Sequence, residues 1–192
     1  PLCIIDRSNV NHLQRTNCET DPWVDDLVAT LFQGLEDLLG DALHPEQRLL
    51  ASFRLKDGGL AFGGLRRRSA AAFLASWALC LKEVAGAVGV SSLQGFRARC
   101  TTVTAAMGAA EAELRNQGGN GGDPLPWHDY LKEPARKMQA TWTSEVSSQS
   151  KDGLLDSLND EAAADVRSNG GPGAGAWLLP PAEGVLVMPA DH

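Results

Sequence analysis

Cysteine is sparse and scattered. Cys3, Cys18, Cys80 and Cys100 form no C-x-x-C pair, a spacing that suits neither a zinc ribbon nor a dense disulfide scaffold. Histidine is as thin: His12, His44, His128 and His192 share no ligand spacing with cysteine or carboxylate. Helical His-x-x-x-His and Glu-x-x-His pairs are missing, so neither a metal site nor a cofactor is expected in this segment. No apolar run approaches the ~20 residues of a membrane span, so no membrane partner is expected. Neither a basic-then-apolar leader nor a lipidation motif is visible, which predicts an intracellular chain, nuclear or cytoplasmic. A chain opening on Pro1 and closing on His192 reads as a piece cut from something longer.

What is present suffices for a core. Of 192 residues, 43% are hydrophobic, near the globular average and too many for wholesale disorder. The net charge of −7 is unevenly spread: −5 over residues 1–64, +4 over 65–116 and −6 over 117–192. Phosphate binders are basic over their footprint, and only the middle third is basic.

The pattern predicts a mainly α protein: a helical bundle with a glycine-rich connection and a short extended C-terminal segment. Asp21-Pro22 is a helix start. Trp23, Val24, Leu27, Val28, Leu31, Phe32, Leu35, Leu38 and Leu39 then share one face until Gly40. A short helix follows from His44-Pro45 through Leu50, and glycines 58, 59, 63 and 64 make residues 53–65 an extended or turning connection. A helix over 66–88 buries Phe73, Leu74, Trp77, Leu81, Val84 and Val88, while its alanines and serines let neighbours approach. One over 92–116 buries Leu93, Phe96, Cys100, Val103, Met107 and Leu114. Residues 118–124, Gly-Gly-Asn-Gly-Gly-Asp-Pro, read as a flexible, protease-sensitive linker between a first segment, 1–117, and a second, 125–192. Helices over 135–149 and 154–166 carry thin stripes (Met138, Trp142, Val146; Leu154, Leu155, Leu158). A glycine-rich loop over 169–175 and an extended stretch over 176–188 close the second segment.

Most candidate chemistry fails its own requirements, and no catalytic residue is expected. Trp23-Val24-Asp25-Asp26 superficially resembles the aromatic-x-Asp-Asp motif of reverse transcriptases, which needs a β-hairpin tip and a third aspartate on a preceding strand. Here the pair sits in a helical first turn, where the dipole favours acids. Gly171-Pro172-Gly173-Ala174-Gly175 and the glycines of 58–64 lack the strand, lysine and helix of a phosphate-cradling loop. Cys80 and Cys100 fall on apolar helical faces and read as inert core residues. Trp127-His128-Asp129-Tyr130 reads as an aromatic packing anchor.

Arg66-Arg67-Arg68 is the one charge feature that asks for a partner, because arginines at a helix N-terminus oppose the macrodipole. With Arg97 and Arg99 on the following helix they are the candidate phosphate contacts, for weak, sequence-independent binding of RNA or DNA. One joint patch requires the helices to cross or the chain to turn between the two clusters.

Two stretches carry a family resemblance. Residues 47–62, Gln-Arg-Leu-Leu-Ala-Ser-Phe-Arg-Leu-Lys-Asp-Gly-Gly-Leu-Ala-Phe, followed by the alanine-rich 69–78 with Ala75-Ser76-Trp77, resemble the region after the reverse transcriptase domain in polyproteins of non-LTR (LINE-like) retrotransposons of protist type. That family has a Gly-Gly-Leu-Gly-Leu turn and an alanine-rich helix bearing Ala-Ser-Trp. Residues 167–181, Arg-Ser-Asn-Gly-Gly-Pro-Gly-Ala-Gly-Ala-Trp-Leu-Leu-Pro-Pro, are similar to its later glycine-alanine turns and Trp-Leu strand. Ala61-Phe62-Gly63-Gly64 stands where Gly-Leu-Arg-Ser is usual, and Ala162-Ala163-Ala164-Asp165-Val166 where a basic stretch is commoner; such drift suits a degenerate copy. The resemblance implies a non-catalytic connecting segment that follows the polymerase thumb and supports template and product handling in RNA-directed DNA synthesis. Its partner would be the neighbouring polymerase domain, whose magnesium-binding aspartates would lie before Pro1. A structural spacer, or an unrelated helical protein-interaction domain, is the alternative.

Overall fold

The computed structural model describes residues 22–62 and 64–170, leaving aside the side chains of Pro22 and Trp23. Asp21, Gly63, the glycine loop over 171–175 and the extended stretch over 176–188 lie outside the described residues, as do Cys3, Cys18, His12 and His192. The described chain is mainly helical: α1 (Pro22–Leu39), α2 (Pro45–Ser52), α3 (Leu65–Ala87), α4 (Leu93–Arg99), α5 (Thr101–Asn116), α6 (Trp127–Lys132), α7 (Met138–Ser157) and α8 (Asp160–Ser168). Two 3-10 turns, Leu55–Asp57 and Gly119–Gly122, fill connections. Among the described residues there is no strand.

The central element is α3, on which α5, α6 and α7 all pack. Six consecutive residues, Ser69 to Leu74, are buried, so this stretch is covered all round rather than along the single stripe expected. Its alanines make that possible: Ala78 lets the chain before α7 approach until the amide of Ala135 donates to the Ala78 carbonyl at 2.9 Å. By length and composition α3 would also suffice to cross a membrane; in this fold it is the core helix.

Three expectations are corrected. The helix over 92–116 is two, α4 and α5, broken at Cys100 (φ −114°, ψ 58°). The run Thr101-Thr102-Val103-Thr104 at that joint is β-branched and weakly helical. Conversely, the two helices expected over 135–166 divide at Leu158 and not near Gly153. The roughly 1 kcal/mol cost of an interior glycine is outweighed because Trp142, Val146 and Leu154 bury on one face of α7.

The third correction concerns the linker. Residues 118–124 form no boundary, because one core contains Phe73, Leu74, Leu81, Phe96 and Leu114 together with Leu125, Trp127, Tyr130, Trp142 and Val146. The Gly119–Gly122 turn rests on both α5 and α7, and two carboxylates tie it down. Glu145 accepts from the amide of Asn120 at 2.6 Å. Glu111 accepts from the amide of Leu125 at 2.9 Å and from the indole N–H of Trp127 at 2.8 Å. Glycine composition announced flexibility, but the backbone here is a strap whose donors have fixed acceptors.

Candidate functional site

Residues 53–62 build the surroundings of the arginines. The end of α2 offers unpaired carbonyls, and the connection folds back to satisfy them: Ala51 accepts from the amides of Leu60 (3.1 Å) and Phe62 (3.0 Å), and Phe53 from that of Ala61 (2.7 Å). Such a tight return needs glycine. Gly58 has φ +89°, and its Cα faces the Val166 carbonyl so closely that a Cβ would lie 3.2 Å from it. A Cβ on Gly59 would collide with the carbonyls of Leu50 and Phe53. Ala61 holds φ +60°, a left-handed conformation disfavoured for any residue with a Cβ.

Consecutive residues of a helix point roughly 100° apart, so the arginine triplet at the start of α3 fans out. Arg66 reaches α1 and pairs with Asp25 at 3.0 Å, both side chains more than half exposed. Such a surface pair contributes about 0–1 kcal/mol. Arg67 turns toward α2, donating to the Ser52 hydroxyl at 2.9 Å and lying 5.6 Å above the centroid of the Phe53 ring. Burial pulls its pKa down, though a guanidinium stays charged in proteins. The Arg68 guanidinium covers Gly64, where a Cβ would lie 3.1 Å from it. Nearby, Arg54 is held by Asp57 at 2.6 Å. Among the described residues no carboxylate pairs with Arg67.

Arg97 and Arg99 are elsewhere. They are exposed on α4, which is anchored to α3 by Phe96 packing edge-on against Trp77 at 6.0 Å. Trp77 is some ten residues beyond the triplet, about 15 Å along the helix axis. Arg97 borders an apolar groove of about 220 Å³ with Leu93, Phe96, Met107, Glu111 and Trp127. The five arginines therefore form two separate positive sites and not the joint patch considered from sequence. Helix crossing angles decide this, and no spacing rule in one dimension encodes them.

The remaining candidates have structural explanations. Asp25 and Asp26 lie on a helix and not on a hairpin tip, Asp25 in its first turn and paired with Arg66. Cys80 is half-buried, and burial followed by the charge of Glu83 pushes its thiol up, the wrong direction for a nucleophile. Trp127 and Tyr130 are buried and stack edge-on at 5.5 Å, the anchor expected there. Sequence reasoning missed Ser52, Thr143 and Ser147, which share a cleft with Arg67 and Arg68; lone hydroxyls give no signal in sequence. The chain matches no protein family, no curated protein and no solved structure.

Proposed function

We propose that this chain is a non-catalytic helical segment from the region following the reverse transcriptase domain of a non-LTR retrotransposon polyprotein, acting in nucleus or cytoplasm. It helps hold template and product through weak, sequence-independent phosphate contacts, while the chemistry belongs to magnesium-binding carboxylates of the neighbouring polymerase domain. One observation carries the reading. The family's turn is Gly-Gly-Leu-Gly-Leu, and this chain has Gly58-Gly59-Leu60-Ala61-Phe62 in a backbone that favours glycine at all three of those positions: φ +89° at Gly58, no room for a Cβ at Gly59, φ +60° at Ala61. An alanine in that third place is what drift from a glycine would leave.

The phosphate contacts are Arg66, Arg67 and Arg68, with Arg97 and Arg99 as a second, separate positive point. The surface pair of Arg66 with Asp25 is weak enough to be exchanged for a phosphate. The test is single-stranded RNA affinity against salt for the wild type and for an Arg66/Arg67/Arg68→Ala variant. The variant's log-log slope should be shallower by about 0.7 for each lost contact. Equal slopes, or no binding at low salt, leave the spacer reading, which the Asp25–Arg66 pair and the acidic flanks favour. The remaining alternative, a protein-interaction domain, has in its favour Leu38 and Leu39, 85% and 60% exposed at the end of α1.

A further inference from the structure

We infer that this chain binds a second copy of itself head to tail, the exposed end of α1 in one copy entering the apolar groove of α4, α5 and α6 in the next. The inference goes beyond the proposed function and does not rest on it. Each half of the contact is incomplete in a single copy. At the end of α1, Leu38 and Leu39 are 85% and 60% exposed, and acidic residues flank them. Asp37 and Asp41 accept neutral donors, the Gln33 side chain at 2.9 Å and the Ala42 amide at 2.8 Å. Among the described residues neither pairs with a cation, and the last turn of α1 holds no basic residue. Two carboxylates thus sit at or just beyond the negative end of an 18-residue helix, where the dipole favours a cation.

The groove has the opposite needs. Buried Phe96, Met107 and Trp127 line it with half-buried Leu93, and exposed Arg97 borders it. Among the described residues Arg97 pairs with no carboxylate. Glu111, also on the lining, has each oxygen engaged by a donor of its own chain, the Leu125 amide and the Trp127 indole. An apolar cavity of roughly 150 Å³ takes a benzene ring, so the groove's 220 Å³ admits a leucine side chain. Leucine then meets apolar surface while a flanking aspartate meets Arg97. The two halves are apart in one copy. Asp25–Arg66 and Glu36–Arg48 tie α1 to the start of α3 and to α2, whereas α4 is anchored at Trp77. Pairing of α1 with α1 of a second copy is disfavoured, because the helix carries Asp25, Asp26, Glu36 and Asp37 and no basic residue. Like charges would face each other in either direction. The contact is therefore heterologous. A leucine pair in a groove covers less than the ~1,000 Å² of a stable interface, so association is weak and depends on concentration.

The test is sedimentation velocity of the whole chain from micromolar to millimolar concentration, with two variants at exposed positions. Leu38→Ser/Leu39→Ser removes the protruding half. Arg97→Glu/Gly108→Leu reverses the charge and fills the groove. A Cβ on Gly108 would meet no atom within 4 Å, so both variants should keep the melting temperature of wild type. Wild type should associate at high concentration, and each variant alone roughly tenfold to a hundredfold more weakly. An equimolar mixture of the two variants should form a dimer and nothing larger, because one intact end and one intact groove remain. A wild type that stays monomeric overturns the inference. Association lost in the leucine variant but kept in the groove variant overturns it in favour of α1 pairing with α1. Association lost in the groove variant but kept in the leucine variant overturns it in favour of another occupant of the groove. Two monomeric variants whose mixture also stays monomeric overturn the head-to-tail geometry.

Discussion

Helices α1 and α7 invert the usual relation between pattern and burial. The stripe of α1 is long and strong, from Val24 to Leu39, yet only Val24 and Phe32 are buried and its last two leucines face solvent. The stripe of α7 is thin, and its middle is rich in serine, yet Trp142 and Val146 are among the most buried side chains of the described residues. A stripe measures how much apolar surface a helix can offer. Which surface is accepted depends on where the helix lands, and α7 lies along α3 whereas α1 meets α3 near its start.

The sharpest way to break this comparison is truncation on both helices. Trp142→Ala should destabilise by about 3–5 kcal/mol, while Leu38→Ala should stay within roughly 0.5 kcal/mol of wild type. Urea unfolding midpoints read both, and equal losses would mean that α1 is packed as firmly as α7. Trp142→Phe refines the point. The Trp142 indole N–H is buried without a partner, so removing it forfeits no hydrogen bond and the loss should be well below that of alanine.

The next effect concerns how each helix is tied to the rest. Glu111 engages two donors, the Leu125 amide and the Trp127 indole. Glu111→Ala strands both, at about 1–3 kcal/mol for each buried group. We expect a loss of 2 kcal/mol or more on the order of those magnitudes, and new protease cleavage within residues 118–126, which stay uncut in wild type. Cleavage there in wild type would restore the linker reading.

A smaller gain is expected at the turn. Ala61→Gly relieves a left-handed alanine and should stabilise by about 1 kcal/mol, a rise in Tm of roughly 2–4 °C. A fall in Tm would show that the Ala61 methyl contributes more than its backbone costs.

The smallest effect belongs to α1. Glu36 accepts from the Leu43 amide at 2.9 Å and from Arg48 at 2.6 Å, and these, in that order, hold its carboxyl below the usual value of 4.5. A folded pKa below the unfolded one gives stability that is present above the unfolded value and disappears as pH falls through the folded value. Wild type and Glu36→Gln should therefore differ at neutral pH and converge well below pH 4.5. Parallel curves would mean that the Glu36 contacts do not form in solution.

Local order was readable from the residues. Pro22, Gly40, Pro45 and Ser92 mark helix ends that the fold respects; of the expected inward positions Phe73, Leu74, Leu81, Phe96, Met107 and Leu114 are buried, while Trp77, Val84, Val88, Leu93, Cys100 and Val103 are only partly so. These follow from short-range rules, 3.6-residue periodicity and the needs of unpaired backbone groups, which act within a few residues and so are written in one dimension. Three things were settled only by tertiary structure. The glycine-rich 118–124 became a strap because Glu145, on the helix after it, accepts from the amide of Asn120, and Glu111, on the helix before it, from that of Leu125 just beyond it. The continuity of α7 through Gly153 depends on the face it buries against α3. The arginines divided into two clusters, and Thr143 came to line a cleft with Arg67, because helix crossings bring together side chains 76 positions apart in the sequence. Packing is a property of surfaces meeting, and one strand of sequence specifies each surface without specifying its mate.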